Sequence, residues 1–97
     1  MKKYEVGYIM KPNLDHDALK KTNDTIYSIF EKNASHILHA KEVGLKDLAY
    51  PIEGFKKGYY VWLVVNATPE AVKEFNRVVI ITENIIRFII AQEERKS

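Results

Sequence analysis

The chain opens in alternation. Tyr4, Val6, Tyr8 and Met10 fall on one side of an extended segment, with Glu5, Gly7, Ile9 and Lys11 on the other. A period of two with one apolar side predicts a strand that covers a core with one face. Pro12-Asn13 ends it, and Asp15 and Asp17 stand where carboxylates favour the positive end of a helix. Leu19, Thr22, Ile26, Ile29 and Phe30 then recur at three and four, which predicts an amphipathic helix reaching Lys32 or Asn33, with Asn33 as its C-cap. The stretch from Ser35 to Ile52 is strand-like but imperfect in its alternation, and Gly44 inside it marks a bulge or bend, so one long bent strand is predicted. A turn is expected over Glu53 to Gly58. Tyr59 to Ala67 is the clearest strand. It sets Tyr59, Val61, Leu63 and Val65 against Tyr60, Trp62, Val64 and Asn66. Thr68-Pro69-Glu70 reads as an N-cap, a proline at the first helical position and a first-turn acid. The helix it opens, striped by Val72, Phe75 and Val79, should stop between Ile80 and Thr82. Ile85 to Ala91 is a last strand, and residues 93–97 form a short polar tail.

The order β-α-β-β-α-β, in two strand-helix-strand units of about equal length, predicts an α+β, ferredoxin-like domain over residues 1–92. Its sheet has four antiparallel strands, and both helices pack on one face. The other face is left for solvent or a partner. If Val61, Leu63 and Val65 meet the helices, Tyr60 and Trp62 stand on the open face, joined by Arg87 and Ile89 from the last strand and Gly7 and Ile9 from the first. Large aromatics beside a cation on an uncovered sheet suit a binding surface. The alternative is simple cross-strand pairing.

Composition narrows the class. Ninety-seven residues with 46% hydrophobic and 29% charged suffice for one core and lie outside the disordered range. No cysteine is present, so neither a disulfide framework nor a thiolate metal site holds the chain, and a reducing cytosol fits. The longest uncharged apolar run, Tyr59 to Val65, is far short of the roughly 20 residues that span a bilayer, and Glu5 interrupts any signal-like stretch. Neither secretion nor membrane anchoring is expected.

Catalysis finds no footing. His36 and His39, three apart in a strand, are expected on opposite faces, and His16 sits at a helix start. Asp15 with Asp17 is explained by capping. Glu42 with Asp47 flanks the bend and reads as solvated or paired with Lys41 and Lys46. There is no phosphate loop, nucleophile elbow or HExxH. No enzyme, cofactor, metal or small-molecule substrate is implied. Lys57-Gly58-Tyr59-Tyr60-Val61-Trp62 is briefly similar to the third strand of the RNA-recognition motif. It departs at Tyr60, where that motif has Gly or Ala, and the first strand offers no stacking aromatics.

A more specific match lies at the bend. Gly44-Leu45-Lys46-Asp47-Leu48-Ala49-Tyr50-Pro51-Ile52 followed by Gly58-Tyr59-Tyr60-Val61-Trp62 resembles the bacterial small-subunit ribosomal protein six family, as do Lys3-Tyr4-Glu5, Pro12-Asn13-Leu14, and Asn84 with Arg87. The similarity spans residues 1–92. The resemblance implies a structural assembly protein that binds the central domain of small-subunit ribosomal RNA together with small-subunit ribosomal protein eighteen, in the cytoplasm and on the ribosome. It carries over Lys2, Lys3, Tyr50 and Arg87 as RNA-binding positions, and Tyr60 and Trp62 on the third strand as contacts to the partner. Ile89 is added as a partner contact from its place on the open face, and Lys56 and Lys57 as RNA contacts from their nearness. Glu53 departs from the basic or small residue the family pattern leads one to expect, which argues against a phosphate contact there. The short mixed tail does not imply modification by added glutamates.

The net charge of +2 is small for a protein that holds RNA alone. The predicted helices, residues 15–33 and 69–80, hold five basic and six acidic residues, and the remainder holds ten basic and seven acidic. The excess of cations therefore sits on the sheet, its loops and the termini, where Lys2, Lys3, Arg95 and Lys96 lie. It can neutralise only a few phosphates, so a shallow salt dependence is expected of the protein alone. Cooperative binding with a more basic partner follows. The competing class is a ferredoxin-like small-molecule-sensing or dimerisation module. Such modules commonly have a glycine-rich loop after the first strand, and here Lys11-Pro12-Asn13-Leu14 fills that place.

Overall fold

The computed structural model describes residues 2–93. The order is β1 (Lys2–Met10), α1 (His16–Lys32), β2 (His36–Ile52), β3 (Phe55–Ala67), α2 (Pro69–Ile81) and β4 (Ile85–Gln92). The four strands form one sheet in the order β2-β3-β1-β4, with every neighbouring pair antiparallel. This is the βαββαβ arrangement the alternation predicts. The expected tail from residue 94 onward, with Arg95 and Lys96, lies outside the described residues.

Local chemistry sets the helix ends as the sequence implies. Asp15 caps α1 by accepting the Ala18 amide at 2.8 Å, and Thr68 caps α2 by accepting the Ala71 amide at 3.2 Å, with Pro69 in the first turn. Asn33 is the C-cap of α1, and the Ser35 amide reaches back to the Phe30 carbonyl at 3.0 Å, so Ala34 takes the left-handed conformation at φ 55°. The same turn is tied to the start of α2. Thr68 donates its hydroxyl to the Asn33 carbonyl at 2.9 Å and its amide to Ser35 Oγ at 3.1 Å.

The core lies between the helices and one sheet face. Val6, Tyr8 and Met10 from β1 meet Val61, Leu63 and Val65 from β3, under Ile26 and Phe30 of α1 and Phe75 of α2. Phe75 links the layers, with its ring 5.8 Å from Phe30 and 6.0 Å, edge to face, from Phe88 on β4. One polar relay enters this core. The buried Tyr8 hydroxyl donates to Asn23 Oδ1 at 2.6 Å, and Asn23 Nδ2 donates to Glu42 Oε1 at 2.7 Å. Burial drives the Tyr8 phenol far above its usual range, and burial with the Glu42 charge also pushes Tyr27 and Tyr59 up. The phenol therefore remains a donor. Among the described residues no buried side-chain polar atom lacks a partner.

Two expectations need correction. The turn between β2 and β3 is only Glu53-Gly54, with φ of 49° and 83°, and β3 already runs from Phe55. Two successive positive φ values make the two-residue hairpin turn whose twist matches its strands, so Lys56 and Lys57 lie in β3 and not in a loop. The second correction concerns β2. Its pairing with β3 slips between Ile37 and His39 as well as between Glu42 and Gly44. The bulge at Gly44 was legible; the one at Leu38 was not. Each slip reverses the alternation. His36 pairs with Asn66 and His39 with Val64, two residues on the same side of β3, so the histidines share the open face instead of opposing one another.

Candidate functional site

The open face follows from the register. Gly7 pairs with Trp62 on one side and Ile89 on the other, and Ile9 pairs with Tyr60 and Arg87. Directly paired residues project to the same side of a sheet, so these six side chains and backbones line one patch. They enclose a shallow depression of about 550 Å³. Trp62 is 37% exposed and Ile89 is 55% exposed, a large apolar area to leave in water.

Gly7 makes the arrangement possible. A Cβ at that position would stand 2.6 Å from Trp62 Cζ3 and 3.2 Å from Ile89 Cγ2, so the indole lies across bare backbone. Gly58 does similar work at the far end, where a Cβ would meet Ile9 Cγ2. Leu48 also reaches Gly58. The tip of the β2–β3 hairpin therefore closes against Ile9, and beyond Asp47 the two strands lose their pairing until Ile52. The curl carries Tyr50 across the sheet. Arg87 Nη1 donates to Tyr50 Oη at 2.7 Å, and its guanidinium carbon is 5.7 Å from the Tyr50 ring centroid. Two residues 37 apart in sequence thus meet at the rim of the Trp62 depression.

The predicted site residues separate into two groups. Tyr60, Trp62 and Ile89 line the depression together, with Arg87 and Tyr50 at its rim. The lysines do not join them as one cluster. Lys3 pairs with Asn66 on the open face, yet its ammonium is 3.7 Å from the Glu93 carboxylate, and Lys2 pairs with the buried Ala67 and so faces the helical side. Lys57 pairs with Asp47 across the ladder, 3.9 Å between Nζ and Oδ1. Lys56, next to it, has the side of Gly58. Glu42 and Asp47 are both exposed, as the solvated reading expects, and where they have partners these are Asn23 and Lys57 in place of Lys41 and Lys46. A second hollow, of about 310 Å³, lies on the helix side by Tyr27, Glu42 and Tyr59, and its two carboxylates, Glu42 and Asp24, are engaged by Asn23 and Lys20. Among the described residues no three His, Cys, Asp or Glu side chains converge on a point that could hold a metal ion.

The sequence and fold have known counterparts. The family model described as ribosomal protein S6 matches residues 3–92. The small ribosomal subunit protein bS6 of Phytoplasma australiense is 59% identical over 93 residues, covering 96% of this chain and all of that one. The protein of the same name from Acholeplasma laidlawii is 48% identical over 93 residues, covering 96% of this chain and 98% of its own. The crystal structure of 30S ribosomal protein S6 from Thermotoga maritima superposes with a TM-score of 0.89 at 22% identity, covering 95% of this chain and 87% of that one, a likeness of fold. A match that runs nearly the length of the chain, at 59% identity to one relative, decides against the sensing-module alternative: the chain belongs to the ribosomal protein S6 family.

Proposed function

We propose that this protein binds small-subunit ribosomal RNA cooperatively with a second small-subunit protein, which docks on the Trp62 depression. Membership in the family already makes the chain a structural protein of the small ribosomal subunit, cytoplasmic and ribosome-associated, and not an enzyme. What the proposal adds is the division of labour. The observation that carries it is the Trp62 patch: an apolar, half-open depression with a cation at its rim, on a sheet face that neither α1 nor α2 covers. Such a surface gains from burying aromatic and aliphatic groups, which suits a protein partner better than a phosphate chain. Small-subunit ribosomal protein eighteen is the partner this reading takes, through Tyr60, Trp62 and Ile89.

RNA contact falls to the rim and its surroundings, where Arg87, Tyr50, Lys3, Lys56, Lys57 and Lys2 are the proposed residues. Arg87 is oriented by Tyr50 and, among the described residues, is the one guanidinium on this face. Lys3 and Lys57 are held in surface ion pairs, worth little in water and readily exchanged for a phosphate. With a net charge of +2 the protein alone grips RNA weakly, and the partner supplies most phosphate contacts. The coupling between the two binding events is about 1 to 3 kcal/mol.

Titration of a central-domain ribosomal RNA fragment, with this protein alone and with the partner present, tests the reading. Affinity should rise at least severalfold with the partner; equal affinity in both sinks the cooperative model. Trp62→Ala should weaken association with the partner by about tenfold or more while the domain stays folded. If that variant mainly unfolds, Trp62 is core and the patch is no interface.

A further inference from the structure

The sequence of β2 mixes its charges, with His36, His39, Lys41, Glu42, Lys46 and Asp47 inside twelve residues. Folding sorts them. The slips at Leu38 and at Val43 bring His36 opposite Asn66, His39 opposite Val64, Lys41 opposite Trp62 and Lys46 opposite Gly58, all on the open face. Glu42 and Asp47 pair with Val61 and Lys57 and so take the other side, where Asn23 and Lys57 engage them. One strand thereby shows two lysines and two imidazoles on one face and its two carboxylates on the opposite one. All four basic side chains are exposed, and among the described residues Lys41 and Lys46 have no ion pair.

We propose that this stripe is a contact surface for the sugar-phosphate backbone of RNA, distinct from the Arg87 rim and from the Trp62 depression. It rests on the reading that the protein binds RNA. Same-face neighbours on a strand recur at about 6.6 Å, so the stripe extends over roughly 25 Å, the length of several nucleotides. β2 is an edge strand, so a bulky polyanion can approach it without crossing the rest of the sheet. Among the described residues, the carboxylate that the strand pairing places on this face near it is Glu5, which stands on β1 with β3 between. Charge complementarity therefore selects a phosphate chain over an acidic or apolar protein surface. Ammonium groups and imidazole N–H donors give positional attraction without base readout, which is the role of backbone contacts. Lys41, directly beside Trp62, joins the stripe to the depression, so one RNA strand could run along β2 while the partner covers the apolar centre.

The test uses the protein bound to its partner and a central-domain ribosomal RNA fragment, with affinity measured across a salt series. Lys41→Gln/Lys46→Gln should lower the slope of log affinity against log salt by about 1.4 to 1.8, because two phosphates lose their cations. Lys21→Gln/Lys73→Gln, with the same change of net charge on the two helices, should leave the slope unchanged. His36→Gln/His39→Gln should weaken binding by about two- to tenfold. If the wild-type complex binds RNA and the Lys41/Lys46 variant keeps its slope, the stripe is no RNA contact although the broader reading stands. An equal slope change in the helix variant also overturns the stripe, since net charge alone then acts. So does a stripe variant that weakens only association with the partner in the absence of RNA. A wild-type complex that does not bind RNA overturns both readings.

Discussion

The two faces of the sheet are built from the same strands and reach opposite ends of a design. On the helical side, Val6, Met10, Leu63, Val65, Phe30 and Phe75 are fully out of water, and the polar relay that enters, Tyr8 to Asn23 to Glu42, is closed at every step. On the open side Trp62 and Ile89 keep large exposed areas, and the main side-chain link across the sheet, Arg87 to Tyr50, is itself exposed. The difference teaches where stability and function reside. Removing contacts from the covered face leaves cavities and orphaned polar groups, whereas the open face holds groups whose contacts to a partner are still to be made.

Three substitutions break or sharpen that contrast, beginning with the largest expected effect. Phe75→Ala removes the ring that bridges α1 and β4 and should cost about 3 to 5 kcal/mol by chemical denaturation. Whatever remains folded should still associate with the partner; a selective loss of association at unchanged stability would erase the distinction between the faces. Tyr8→Phe leaves Asn23 Oδ1 without its donor and should cost about 1 to 3 kcal/mol. It should also flatten the alkaline limb of stability. An unfolded tyrosine ionises near pH 10.0, but buried Tyr8 resists, so the native state holds more protons in that range. Its contribution is complete below pH 10 and falls as pH rises above it, by at most about 1.4 kcal/mol per pH unit, so the stability gap between the two proteins should stay constant below pH 10 and narrow only above it. Tyr50→Phe removes the hydroxyl that accepts from Arg87, and at an exposed site it should shift stability by no more than about 0.5 kcal/mol. A larger shift would show that the curled hairpin helps hold the sheet together.

Asp15, Asn33 and Thr68-Pro69-Glu70 announced the helix ends, because capping is satisfied by neighbours within a few residues. The strict alternation of β1 and β3 placed Gly7, Ile9, Tyr60 and Trp62 on the face opposite Val61 and Leu63. β2 was harder. Gly44 signals one slip, but Leu38 carries no residue-type mark of the other, and without that slip simple alternation sets His36 and His39 on opposite faces. The sequence extends the hairpin turn to Gly58 because Gly54 and Gly58 both resemble turn residues, although of the two only Gly54 has a positive φ and Gly58 serves close approach to Ile9. The resemblance to the family supplies Tyr50 as a candidate, the open-face reading of the last strand already offers Arg87, and no local pattern predicts that they touch.

By itself, then, the sequence determined the element order, the capped helix ends, the apolar face of each regular strand and the family. These depend on periodicity and on contacts within a turn or two. Only the tertiary structure decided which face of β2 carries its cations, that Tyr50 crosses the sheet to Arg87, and that the Trp62 ring rests on Gly7. Each of these depends on register between strands distant in sequence, where one extra residue reverses every side chain that follows.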